Sequence, residues 1–384
     1  MKIFGIVLEA NPLHLGHKYF ITKIKNDFNP DVLIAITSTS FSMRGDISVL
    51  NKFDKTKLLL DEGVDIVIEL PFSLSVQSAD FFASNSVKIL NNFGITDLAF
   101  GCETTDLILF EKVSNLTNKK KNISEKDASK KQSFSNYLRN ENFTSDEIKI
   151  IENPNFTLGL QYVNCIKENN YNIKYHLIQR ISNNYHDISL KNNIASATSI
   201  RISHKNKVDI SSYIPYSKNY LIDSNTSDKI LANLAYNCYV INESNTHTDF
   251  IKKEGIHNYI KNNGIFNNGY LFLTNNLSNK KYTSSTIARS ILHNILETKD
   301  KFYYEEKYLR ILGSNKKGFE YINSLNKDTK KYIFSNPNEI INKEHFINIK
   351  NILDIELRST KLYGLITENL DLIINEYKLP IRKD

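Results

Sequence analysis

Along the first half of the chain, short apolar runs alternate with stretches whose apolar positions recur every three or four residues. Runs at 3–8, 32–37, 65–70, 97–101 and 174–179 read as strands. Between them, 16–26, 52–62, 77–92 and 157–168 carry helical spacing. Tyr19, Phe20 and Ile24 share one face of the first, and Leu58 and Leu59 stand on the second. This alternation predicts βαβ units and a parallel sheet covered by helices on both faces. Beyond about residue 209 the strand-like runs mostly disappear and helical patterns dominate, broken by an Asn- and Gly-rich turn at 262–269. The pattern therefore predicts an α/β unit over 1–205 and a mainly α-helical unit over 206–384. The stretch 117–135 is rich in Lys, Ser and Asn and reads as a mobile basic segment or an exposed helix.

A length of 384 residues suits two such domains. The formal charge of +7 fits either acidic partners, such as nucleotides or RNA, or a solvated surface. Cys102, Cys165 and Cys238 form no CxxC pair, so neither a zinc knuckle nor a disulfide framework is expected, and reduced thiols are. The apolar run at 3–8 is too short for a signal peptide, and no run of about 18 apolar residues suggests a membrane span. A cytoplasmic protein is expected.

The informative segment is Asn11-Pro12-Leu13-His14-Leu15-Gly16-His17, which follows the first strand and opens the first helix. In an open α/β sheet, ligands sit at the carboxyl ends of the strands. A helix start there offers free N–H groups and partial positive charge to phosphate. Gly16 permits close backbone approach, and two imidazoles can donate to phosphate oxygens as charge develops. A second element, Ser196-Ala197-Thr198-Ser199-Ile200-Arg201, places hydroxyls and a guanidinium at another helix start. Alone it reads as an N-cap beside a surface Arg. In one chain with HxGH it reads as a triphosphate clamp.

These two elements resemble the nucleotidylyltransferase superfamily. A longer set resembles the bacterial tRNA(Met) cytidine acetate ligases: 5–12, Arg44-Gly45, 65–71, 76–80, Phe100-Gly101-Cys102-Glu103, 194–201, 309–313 and Lys316-Lys317-Gly318. The resemblance spans nearly the whole chain. It implies a Rossmann-like nucleotidylyltransferase domain with a parallel sheet, followed by the mainly helical domain. It also implies ATP-dependent activation of acetate to acetyl-adenylate, then acetylation of N4 of the wobble cytidine of elongator tRNA(Met). Carried over by position, the ATP-binding run is Val7-Leu8-Glu9-Ala10-Asn11-Pro12-Leu13-His14-Leu15-Gly16-His17-Lys18-Tyr19-Phe20, joined by Gly101, Asn155, Arg180 and Ile181. The family's Gln-Arg-Gly-Glu-Pro reads Met43-Arg44-Gly45-Asp46-Ile47 here, and its Pro-Asn-Asn reads Pro154-Asn155-Phe156.

The expected division of labour follows. His14 and His17 are the catalytic pair, stabilising the α/β-phosphates, while Thr198, Ser199 and Arg201 serve the β/γ end. Mg²⁺ is expected on the phosphates, with no protein metal site. Glu69, Gln77 and Asp80 either line the acetate or ribose region or cap element ends. Basic residues clustered with aromatics in the helical part, Lys280, Lys281, Arg289, Arg310, Lys316 and Lys317, are expected to hold tRNA, with Tyr282, Lys307 and Tyr308 beside them. Two other readings stand beside this one. The first is adenylylation of a small phosphorylated metabolite, against which the roughly 180-residue extension argues. The second is a non-catalytic tRNA-binding protein, against which both histidines and the Ser/Thr-x-x-Arg element argue.

Overall fold

A computed structural model describes residues 1–124, 138–180, 195–242, 255–298, 307–341, 343 and 346–384. Ile181 and residues 125–135 of the basic stretch lie outside these. The expected strands form as β1 (Ile3–Val7), β2 (Val32–Ser38), β3 (Ile66–Leu70), β4 (Asp97–Cys102) and β5 (Lys174–Gln179). All pair in parallel, in the order β5-β4-β1-β2-β3. The chain leaves β1 toward β2 on one side and reaches β4 on the other, so the sheet has its switch point between β1 and β4. That is where an open α/β sheet leaves a crevice at its carboxyl edge.

Period-2 geometry divides the strand side chains between two cores. Leu33 and Ala35 face the side covered by α1 (Leu15–Phe28), α2 (Lys52–Asp61) and α6 (Ala197–Lys205), where Ile24, Leu59 and Ile200 are buried. Ile34 and Ile36 face the side covered by α3 (Ala79–Asn92), α4 (Leu107–Ser124) and α5 (Pro154–Glu168), with Val87, Phe110 and Val163. Burial on both faces is why β1 and β2 read as near-continuous apolar runs.

The later part of the chain carries α7 (Ser224–Tyr236), α8 (Ile256–Asn263), α9 (Tyr270–Asn276), α10 (Ser284–Ile295), α11 (Lys316–Ser324) and the long α12 (Ile347–Ile366). It does not stand apart from the sheet. β6 (Leu309–Asn315) pairs antiparallel with β3, and β7 (Ile333–Phe334) and β8 (Ile381–Lys383) pair with β6. The sheet thus draws on both sides of residue 205. The helical layer also shares its core with Phe41, Phe72 and Val76 from the first part. No helix among the described residues is long and apolar enough to cross a membrane. Cys102, Cys165 and Cys238 are free thiols.

The seam is electrostatic as well as apolar. Lys52 at the start of α2 reaches Glu69 of β3 at 2.8 Å and Glu356 of α12 at 2.9 Å, and it also pairs with Glu376. Arg310 of β6 contacts Glu69 at 3.2 Å and Glu376 at 2.7 Å, and Tyr308 donates to Glu69 at 2.6 Å. All six side chains are buried. This corrects two expectations. Arg310 does not hold tRNA, because its guanidinium is consumed inside the core, and Tyr308 is enclosed with it. Glu69 lines no ligand pocket, because both its oxygens are taken by Lys52, Arg310 and Tyr308.

Burial, reinforced by Glu69 and Glu376 and opposed by Lys52, lifts the Glu356 carboxyl from 4.5 to about 7. The folded protein then keeps a proton that the unfolded chain releases, so this group's contribution to stability falls as pH rises from 4.5 through about 7. Glu356→Gln should therefore flatten the decline of the thermal midpoint between about pH 5 and about pH 8. Lys52→Met, which leaves three carboxylates facing one guanidinium, should cost about 3–5 kcal/mol. Thermal melts of both variants across this range check the pair; a wild-type midpoint in Lys52→Met would show that the lysine is dispensable to the seam.

Candidate active site

Where β1 ends, the chain leaves the sheet through Ala10, whose φ is 45°, and a cis Asn11–Pro12 peptide. Asn11 fixes the turn from three sides. Its side-chain oxygen accepts from the Val49 N–H at 2.9 Å, its amide reaches the Ile47 carbonyl, and its own carbonyl accepts from Arg201 at 2.6 Å. Pro12 and Leu13 are buried beneath.

His14 is the N-cap of α1. Its Nδ1 accepts from the Gly16 N–H at 3.0 Å, and Nδ1 of His17 accepts from the His14 N–H at 3.2 Å. A ring nitrogen that accepts carries no proton, so in both neutral rings the hydrogen sits on Nε2. The reciprocal cap thus sets both tautomers and leaves two ring N–H donors at one helix start. The rings lie 3.9 Å apart, centroid to centroid. Burial lowers the pKa of both, with neighbouring cations adding: His17 and the Arg180 and Arg201 guanidiniums act on His14, which falls well below its ordinary value, and Arg180 and Lys55 act on His17, which falls to about 3. Both rings are neutral donors at physiological pH.

The second predicted element meets the first. Ser196 caps α6, Thr198 accepts from Arg201 at 3.3 Å, and Arg201 in turn binds the HxGH turn through Asn11. The two motifs, about 190 residues apart, are one constellation.

They enclose a cavity of about 290 Å³ at the switch point. Val7, Leu8, Glu9, Ala10 and Asn11 form its floor, with His14, Gly16, His17, Tyr19 and Phe20 along the α1 side. Of the other expected residues, Gly101, Asn155, Arg180, Thr198 and Arg201 also line it. A Cβ on Gly101 would meet the Arg180 side chain at 3.3 Å, so the glycine lets Arg180 lie against the strand end. The Asn155 amide is held at 2.7 Å by Glu103, which also caps α5 through the Phe156 N–H.

Other expected residues fall outside the cavity wall. Leu13 is core, and Pro12 and Leu15 do not line it. Lys18 points to Glu62, 3.3 Å away. Ser199 is buried with its hydroxyl 2.6 Å from that of Ser196, a cap contact. Gln77 donates to the Ser73 carbonyl and Asp80 accepts from Ser78, so both serve the entry to α3, and neither lines the cavity.

The sequence reading missed the loop Ser42–Met43–Arg44–Asp46, which forms one wall. Glu9 ties it down by accepting from the Met43 N–H at 2.6 Å. The Arg44-Gly45 pair was visible, but only the fold shows it crossing the carboxyl edge. The apolar wall of Phe82, Phe100, Leu158 and Tyr162 was also missed, since nothing in sequence separates it from core.

The loop in turn supports the helical layer. Gly45 has φ of +85°, and a Cβ there would meet Ala288 at 2.8 Å. The Tyr270 hydroxyl lies 3.0 Å from both the Gly45 and Ala288 carbonyls and shares its one hydrogen between them. Arg289, half-buried on α10, therefore stands next to the cavity wall, and exposed Lys280 and Lys281 precede the same helix. Lys316 and Lys317 are exposed at the opposite edge, where Lys317 reaches the Pro30 carbonyl at 3.3 Å and Asp65 at 3.9 Å. Among the described residues no three His, Cys, Asp or Glu side chains gather as a metal site.

The family described as HIGH Nucleotidyl Transferase matches residues 1–376. Curated relatives named tRNA(Met) cytidine acetate ligase include one from Thermosipho africanus, 32% identical over 88% of this chain and 85% of the relative. Another from Bacillus subtilis is 30% identical over 100% of this chain and 98% of the relative. Among solved structures, apo Thermotoga maritima TmcAL superposes with a TM-score of 0.84 at 23% identity over 100% of both chains. The same protein bound with alpha-thio ATP gives 0.80 at 23% identity, again over 100% of both. These two likenesses establish the fold. The family match over residues 1–376 and relatives at 30% identity and above place this chain in the HIGH nucleotidyl transferase family, among the tRNA(Met) cytidine acetate ligases.

Proposed function

We propose that this enzyme activates acetate with ATP and transfers the acetyl group to N4 of the wobble cytidine of elongator tRNA(Met). The observation that carries the reading is the pair of Nε2–H donors at the start of α1, set in one cavity with Thr198 and Arg201. ATP phosphates would lie across this helix start, where backbone N–H groups and the helix dipole favour anions. Arg180 and Arg201 supply two more positive charges at its rim.

In the first step an acetate oxygen attacks the α-phosphorus, the bond to the β-phosphate oxygen breaks, and pyrophosphate leaves. The neutral imidazoles donate to the phosphate oxygens as charge builds, and the bound geometry supplies the rest. Acetate is already ionised and needs no base. In the second step the cytidine amine attacks the acetyl carbon, AMP leaves, and the nitrogen loses a proton. Mg²⁺ is expected with ATP. Glu9 and Asp46 are the carboxylates on the cavity wall; Glu9 is tied to Met43 and Asp46 lies 3.7 Å from Arg201. That donor set fits an ion carried on phosphate oxygens and water rather than one caged by the protein.

His17→Ala removes one phosphate donor and should lower ATP–pyrophosphate exchange by on the order of 10²- to 10³-fold without changing the fold. Wild-type exchange in that variant would remove the histidine from the mechanism.

Exchange should require acetate. A pocket fitted to a methyl group distinguishes one further methylene by only about 1–3 kcal/mol, so propionate should be a poorer substrate rather than an inert one. Exchange that ignores acetate and answers to a phosphorylated metabolite would transfer the chain to the adenylylation reading.

For tRNA we propose the face around α10, which abuts the cavity wall through Gly45. Double reversal of Lys280 and Lys281 to Glu should weaken tRNA binding and reduce its salt dependence by up to about two counterions. Reversal of Lys316 and Lys317, at the amino edge of the sheet, should weaken it less. Filter binding at several salt concentrations ranks the two surfaces, and the opposite ranking would move the tRNA to the far edge.

A further inference from the structure

Lys55 is fully buried, yet its ammonium makes one hydrogen bond, to the Ser38 carbonyl at 2.8 Å. An ammonium has three donors, and among the described residues no carboxylate lies within ion-pair distance of this one. Lys52, one turn earlier on α2, shows the contrast, since it is enclosed by three carboxylates. A buried cation with no carboxylate in contact is costly, and an arriving anion would relieve that cost.

The location says which anion. In the parallel ladder β1 gives the Leu8 N–H to the Ile36 carbonyl. The next acceptor along β2 is the Ser38 carbonyl, but β1 has by then turned away through Ala10, and Lys55 takes the vacant place. The ammonium therefore lies at the end of β2 beside the Glu9–Ala10–Asn11 turn, on the β2 side of the switch point, behind the residues that line the cavity rather than among them. Arg180, Thr198 and Arg201 gather at the other side, where the nucleotide phosphates are expected. The anion that remains to be placed is the small carboxylate.

We propose that Lys55 is the carboxylate anchor of the acetate subsite, receiving the substrate where the floor at Glu9 meets the end of β2. This rests on the acetate-activating reading above. An ammonium fixed at the strand end holds one acetate oxygen, leaving the other to attack the α-phosphorus beside His14 and His17. The neighbouring ionisable groups agree. Glu9 faces Lys55 from the turn after β1, Glu356 from α12 and His17 from α1. Burial raises the Glu9 pKa, with the Met43 N–H and Lys55 among the opposing influences. Burial lowers that of Lys55 to about 8, with Glu9 and Glu356 holding it up.

The test is acetate-dependent ATP–pyrophosphate exchange with the full chain, wild type against Lys55→Met, with acetate and ATP varied separately. Loss of one charge-assisted hydrogen bond should raise the KM for acetate by roughly 10- to 100-fold. The KM for ATP should stay within about twofold. Because a buried charge is replaced by an apolar side chain of similar length, the thermal midpoint should hold or rise. An unchanged acetate KM with a lower midpoint would make Lys55 a structural pin for Ser38 and overturn the anchor, and so would a rise confined to the ATP KM. The wild type offers a check that needs no variant: its acetate KM should climb as pH passes about 8 and the ammonium is lost. A flat profile there also overturns the assignment. Wild-type exchange indifferent to acetate sinks the acetate reading itself, whereas acetate-dependent exchange with an unaltered KM in Lys55→Met sinks the anchor alone.

Discussion

Two cations and three carboxylates are shut away together where α12 crosses the ends of β2 and β3, and each charge is balanced by the others. At the low effective dielectric of a protein interior, an ion left alone costs several kcal/mol, so such a set tolerates little displacement. Glu69 comes from the parallel sheet, Lys52 from α2, Arg310 from the antiparallel β6, and Glu356 and Glu376 from the last quarter of the chain. Glu356 also accepts from Thr39 and from the Phe72 N–H, tying α12 to the segments that follow β2 and β3. The position of the helical layer over the carboxyl edge is fixed by this cluster, and the cavity wall at Ser42–Asp46 lies between the two.

Against that rigid seam, the catalytic end of the molecule is arranged by main-chain hydrogen bonding. The same contacts that start α1 decide which nitrogen of each histidine carries its proton. The guanidinium that anchors α6 to the Asn11 carbonyl also brings the Ser/Thr-x-x-Arg element to the cavity beside His14 and His17. The same bonds set both the turn and the cavity here, so a fold-preserving change at Asn11 or Arg201 is also a change to the shape of the cavity.

The parallel sheet and the HxGH helix start were legible because their signals are local: unbroken apolar runs, then Asn-Pro, then a helix. The encounter of Arg201 with Asn11 was legible only through resemblance, since spacing of about 190 residues carries no geometry. β6 was missed for a physical reason. A strand pattern interrupted by Arg310 reads as exposed, and only the pairing with Glu69 and Glu376 makes burial affordable. Lys52 and Lys55 hid in the same way, as ordinary polar positions of an amphipathic helix. Charge in a sequence marks a surface unless its partner is known, and these partners lie up to about three hundred residues away.

The antiparallel attachment of β6 to β3 bears on how the chain can be divided. A fragment ending near residue 205 would keep every motif of the nucleotide site. It would also present β3 as a bare edge, with its N–H and C=O groups unpaired along an apolar strand. Natural sheets guard against such an edge because it templates association with other chains. The later half of the molecule is thus an internal chaperone for the earlier one, and the catalytic fold is a whole-chain property rather than a portable module.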